Sequence, residues 1–552
     1  MTSVMDFQGS DSSNMIPYYG AFHLQQSSLP LPFPPQTRYP SRDEVAGGTS
    51  PKAINLADIP RTAADLMLKT YIGTLLVRHP CVEEQELLDS YANCFDSPQR
   101  ASCYDIFIVC MALAISAATL TWRNEYHALS ASAGFFAKAK EMLSHPATFD
   151  SEIRQIQVAL LLTHYSFMNP TAVDVWYCIG DASRRCISLG LHKEAGPEMG
   201  LDERELNTRR RLFWTTCGLE RTVCSQLRLP FVLDESDITT QMYHPHPQPR
   251  RGDRDDSGHR MSGKGPDGPE SNHLWAFRLL ETEVFSMTWV HTRQPQPHRK
   301  PTPNSTQFEE WEHSFQARME EWCSYARRIE QQQKASFGSE NVFDLSNLGR
   351  NLLQGRLHRP SPRVKYPSQE SRLKYIKAAI GIVDHYTRYR SQQRFIYPWF
   401  AAHTLFEIAI VTLDTAWLGS DWLSQYMDLQ QIIDCINDFP RLLRQVALLW
   451  PAVRVCADTV AILAEPVLRR LHAICRYGEP PPRDDVTSNI LAGYLFPDSA
   501  LAAEQRTVGP DFDHIDVLGM GDLPLNMPGM DMEDFDWAMG PLNQPFFSLD
   551  FI

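Results

Sequence analysis

Between Ile54 and Leu471, apolar residues recur at helical spacing in one stretch after another, and they almost nowhere alternate as a half-buried strand requires. Pro60 stands where a helix begins, and Ala64, Leu66, Leu68 and Tyr71 follow it as an apolar stripe. Comparable stretches run over 105–122, 131–143, 152–167, 173–189 and 207–227. A second set covers 273–290, 306–332, 347–357, 371–389, 399–417, 429–436 and 439–471. No period repeats often enough for a solenoid of identical units. The pattern predicts an all-α fold: one large, irregular multi-helix domain over residues 54–480.

Three segments depart from it. Residues 1–53 are rich in Ser, Pro and Gln, too polar to offset the entropy of ordering, and read as a disordered arm. Residues 244–272 are charged and dense in Gly and Pro, which reads as a disordered internal loop. Residues 481–552 read as a disordered tail that turns strongly acidic. From Val508 to the end there are nine acids and no Lys or Arg, so most of the net charge of -14 sits there.

That charge excludes a general polyanion binder, since non-specific nucleic-acid affinity needs clustered cations. Any DNA contact is expected to be local, borrowed from a partner, or absent. The first residues carry neither a basic nor an apolar leader pattern, and the longest uncharged run, 106–122, suits a buried core helix better than a bilayer span. The chain is expected to be intracellular and to have no membrane partner. No two of the twelve cysteines form a C-x-x-C pair, so a tetrahedral zinc clamp lacks its usual ligands. Cys103/Cys110 and Cys217/Cys224 are two helical turns apart, the spacing of free thiols packed in a core.

Phosphate-cradling, nucleophile-elbow and zinc-protease motifs are absent, and no enzymatic activity is expected. Asp253, Asp255 and Asp256 lie in the Gly/Pro-rich insertion, which gives them no rigid frame for a metal. His244/His246 and His403/Glu407 have only loose metal-like spacing, and read as a surface turn and a satisfied helical histidine.

Three stretches then converge. W-Y-C-I-G-D-A-S-R-R-C-I-S-L-G-L-H-K-E (176–194) resembles a recurrent block of the fungal-specific transcription factor domain, the middle homology region of fungal zinc-cluster regulators. Cys186 and Lys193 depart from its usual Ala and Arg. T-R-R-R-L-F-W-T-T-C-G-L-E-R-T-V-C-S-Q-L-R-L-P-F-V-L-D-E-S-D-I (208–238) is similar to that family's Arg–Arg, Phe–Trp and Asp–Ile block. L-H-R-P-S-P (357–362) and L-L-W-P-A-V-R (448–454) look like its later half. The motif positions are Trp176, Gly180, Arg184, Gly190, Arg210, Arg211, Trp214, Arg221 and Asp237. Physically, Gly190 suits a helix stop, and Leu212, Phe213, Leu219 and Val223 suit a core face. Arg210, Arg211 and Arg221 are expected to pair with Glu220, Asp234 or Asp237 and tie a helix to the segment after it.

The resemblance implies a nuclear transcriptional regulator of a metabolic or secondary-metabolite pathway, responsive to a small-molecule effector or a docking partner. Family members carry a six-cysteine zinc cluster near their N-terminus, whereas this chain has no cysteine before Cys81. Zinc is thus expected in the family but not here, and DNA is reached directly or through a partner, either a zinc-cluster relative or a second copy. The alternative is a ligand- or partner-binding co-regulator that has lost direct gene control. The acidic tail reads as an activation segment for a coactivator, with Met532, Phe535, Trp537 and Met539 as apolar anchors among the acids.

Overall fold

The computed structural model describes residues 53–76, 78–119, 125–143, 145, 151–243, 269–289, 305–337, 345–391 and 397–496. The arm at 1–52, residues 244–268 of the insertion and everything from 497 on lie outside the described residues, including Met532, Phe535, Trp537 and Met539. Among the described residues every regular element is helical.

The described helices group into two compact units: the chain passes from one to the other between Leu353 and Gln354, and the short segment Asn169–Asp174 groups with the later one. Periodicity marks helices, not which helices share a core, so this division left no trace in the pattern.

The first unit contains α1 (Arg61–Thr70), α2 (Glu84–Asp96), α3 (Cys103–Ala118), α4 (Glu125–Leu143), α5 (Glu152–Met168), α6 (Val175–Ser188), α7 (Glu203–Leu227), α8 (Pro269–Thr288) and α9 (Ser305–Phe337). At its centre, α3 packs on α1, α2, α4 and α5. Residues Phe107–Ala118 are buried without interruption, as a helix apolar all round must be. The start of α3 is fixed by a reciprocal cap: Ser102 Oγ accepts from Asp105 N at 3.0 Å, and Asp105 accepts from Ser102 N at 2.8 Å. No helix among the described residues is long and apolar enough to cross a membrane. Ten of the twelve cysteines are buried as free thiols, with Cys103 half-buried and Cys475 exposed.

The second unit takes over at Gln354, within α10 (Leu345–His358). It continues with α11 (Gln369–Ser391), α12 (Pro398–Leu423), α13 (Leu429–Leu449), α14 (Val453–Tyr477) and α15 (Asp485–Leu495). α12 is buried along almost its whole length, against α11, α13, α14 and α15.

Boundaries moved in three places for identifiable reasons. α8 begins at Pro269, inside the expected 244–272 loop, because proline at a first helical position loses nothing. The break expected after Ile436 does not occur. Phe439, Leu442, Leu443 and Val446 continue the buried stripe, and α13 runs through Pro440. Pro451 makes the break instead, since the residue before it, Trp450, is pushed to φ -133°, ψ 89°. α15 lies in the expected tail of 481–552. Asp484 caps it by accepting from Thr487 N at 2.6 Å, and Leu491 and Leu495 are buried.

Candidate functional site

The two strongest sequence motifs meet in the first unit, where α6 and α7 pack together and the segment after α7 folds back beside them. Gly190 ends α6 as expected. Its φ of +66° is a conformation that favours glycine, and Leu191 N reaches Cys186 O at 2.8 Å while Gly190 N reaches Ile187 O at 3.0 Å. Residues 192–194 then pair with 239–241: Thr239 N donates to His192 O at 2.9 Å, and Gln241 N to Glu194 Oε2 at 2.8 Å. On α7, Leu212, Phe213, Leu219 and Val223 are buried, each contributing roughly 1.5–3 kcal/mol.

The arginines find other partners than expected. Arg210 engages Glu194, with Nε at 3.1 and 3.2 Å from its two oxygens, and also donates to Gln241 Oε1 at 3.2 Å. Trp214 Nε1 adds a bond to Gln241 O at 2.8 Å. Glu194 closes the first motif just past the helix stop, so a chain reversal at Gly190 brings it back to α7; an acid following L-G-L-H was the signal to read. Arg221 does tie α7 to the following segment, through Glu235 Oε1 at 3.3 Å and by lying over the Phe231 ring. Its Nε donates to Cys217 Sγ at 3.1 Å. Among the described residues Glu220 forms no ion pair with an arginine; it accepts from Val232 N at 2.9 Å. Asp234 caps the short turn Glu235–Asp237, and Asp237 is exposed with no cation on it among the described residues. Arg211 turns into the protein. Trp176 is half-buried, Arg184 is exposed, and a side chain on Gly180 would stand 3.2 Å from the Arg184 guanidinium.

Between these elements lies a cavity of about 20 Å³, lined among others by Ser183, Phe213, Thr216, Glu220 and Arg221. That is room for one water, not a metabolite. Burial raises the Glu220 carboxyl above its ordinary range, against the pull of the Val232 N–H. Glu194 is held below the ordinary range, first by Arg210 and then by the Gln241 N–H, with burial opposing. The junction therefore positions chain segments. No nucleophile–base pair is among its bonds, and among the described residues no three His, Cys, Asp or Glu gather as metal ligands. His403 is packed against Trp399 with ring centroids 4.3 Å apart, and its carboxylate neighbour in sequence, Glu407, pairs with Arg359.

The Arg210–Glu194 tie sets a pH test. A depressed carboxyl pKa contributes stability above the unfolded-state value that disappears as pH falls through the folded one. Arg210→Ala is expected to cost about 1–3 kcal/mol at pH 7, and the gap to wild type should shrink toward pH 3. Denaturant unfolding at both pH values checks this; an equal gap at both contradicts the tie.

Residues 76–248 match the family described as the fungal specific transcription factor domain, a span that contains this junction. Three curated relatives are similar over part of the chain. Pyrimidine pathway regulatory protein 1 of Saccharomyces cerevisiae is 30% identical over 135 residues, 24% of this chain and 14% of the relative. The positive regulator of purine utilization of Emericella nidulans is 26% identical over 198 residues, 29% and 18% of the two chains. Protein STB5 of Saccharomyces cerevisiae is 30% identical over 150 residues, 25% and 19%. The matched stretch spans less than a fifth of each relative's length.

Proposed function

We propose, from the premise that residues 76–248 carry a fungal specific transcription factor domain, that this chain is a nuclear transcriptional regulator of a metabolic pathway. The observation that carries the reading is the coincidence of that match with the α6–α7 junction, where both motifs lock into one packed unit. Relatives named as regulators of a pyrimidine pathway and of purine utilization support a metabolic target. In this reading the helical units hold and position, the acidic C-terminal segment recruits a coactivator, and no catalysis or bound zinc is involved. DNA is reached directly or through a partner with its own DNA-reading module.

A co-regulator that has lost gene control is the competing reading. Fusing the whole chain to a heterologous DNA-binding domain separates the two. The regulator raises reporter output; the co-regulator leaves it at the level of the DNA-binding domain alone.

A further inference from the structure

Arg210 and Arg211 are neighbours on α7, so their side chains diverge by about 100°. Arg210 reaches Glu194, whereas Arg211 turns inward and is only 8% exposed. Both Nε and Nη2 of Arg211 are closed off from solvent, and neither finds an acceptor among the described residues. These two N–H groups form one edge of the guanidinium, the edge made to grip two oxygens in a plane. The same edge is in use one turn before the motif, where Arg204 Nε and Nη2 donate to Glu83 Oε2 at 3.0 and 2.9 Å.

Two carboxylates act on Arg211 electrostatically, Glu86 and Glu83, together with the Cys81 thiol and the Tyr243 hydroxyl. Both carboxylates already serve other donors. Glu83 holds Arg204. Glu86 accepts from Tyr104 Oη at 3.1 Å and from Gln157 Nε2 at 2.8 Å. They lend Arg211 a favourable field but no bond. A buried guanidinium edge without acceptors is costly, and a carboxylate, with an oxygen for each N–H, would satisfy it in full.

We infer that the Arg211 edge is a binding site for a small monovalent carboxylate, held by two parallel N–H···O bonds. The planar two-oxygen group matches the fork, and a small carboxylate asks the least room of a group that is only 8% exposed. A second negative charge would stand in the field of Glu83 and Glu86, which disfavours a phosphate dianion. The site is independent of the transcriptional reading, because its test uses the purified chain without promoter or partner.

The probe is acetate. Thermal unfolding of the full chain is followed in potassium acetate, potassium chloride and potassium phosphate at matched ionic strength. At about ten times its dissociation constant, acetate should raise the midpoint saturably by roughly 2–4 °C over chloride. Phosphate should do less, and Arg211→Lys, which keeps the charge but not the fork, should abolish the difference. Equal midpoints in acetate and chloride would mean that water alone satisfies Arg211, and would overturn the inference. So would phosphate matching acetate, or a lysine variant that keeps the shift. Should that variant not fold, the Nε–H resonances of wild-type arginines decide: one must move on acetate addition, and none moving overturns the site.

Discussion

Replacing Glu407 by alanine is expected to destabilise the second unit by about 3–5 kcal/mol, the cost of leaving a buried cation without its partner. Glu407 sits on α12 and pairs with Arg359, which follows α10 and is one of the largest side chains wholly removed from solvent. Burial, with Arg356 adding to it, already pushes the Arg359 pKa down, so nothing in that setting tolerates losing an anion. A second buried pair, Arg372 Nη1 to Asp414 Oδ2 at 3.2 Å, joins α11 to the same helix but is too specific in geometry to substitute. The effect belongs to unpaired charge, not to lost contact. Arg359→Met with Glu407→Leu, which removes both charges and keeps volume, should therefore recover most of the stability. Urea unfolding followed by the fluorescence of Trp399 and Trp417 measures both variants. A Glu407→Ala loss under about 1 kcal/mol would contradict the ion pair as described.

The second large effect is expected on gene activation. Phe535→Ala together with Trp537→Ala, with every charge kept, should lower reporter activation about tenfold or more. In a helix formed on a partner, Met532, Phe535 and Met539 would stand at i, i+3 and i+7, with Trp537 beside them. Two aromatic anchors lost from an apolar groove remove roughly 2 kcal/mol or more, which is about thirtyfold in affinity. A purely electrostatic tail would ignore the rings, since all nine acids remain. Unchanged activation would defeat the anchor mechanism while leaving a charge mechanism standing.

Helical content and most element positions were legible in the sequence because each helix declares itself locally. The 3.6-residue stripe and the Gly190 stop are read within a few residues of where they act. α2 is not among the predicted stretches because its apolar stripe is short; the reciprocal cap of Glu83 and Glu86 marks its start in the structure. α15 was hidden by its acidic start and by the change of composition beyond it. Partner choice was not legible. Glu220, on α7 itself, takes the Val232 N–H and Asp234 caps the turn after it, while Glu194 takes Arg210 because of how the chain reverses at Gly190. Nor did the run of three arginines reveal that its last member points inward. That depends on how α7 rotates against α2 and α5, a matter of packing that spacing alone does not fix.

The most direct measurement is reporter output from residues 500–552 fused to a heterologous DNA-binding domain, beside a fusion of residues 54–499. The regulator described here predicts strong activation by the acidic segment alone and little by the helical part. Output from residues 500–552 no higher than that of the DNA-binding domain alone would contradict it.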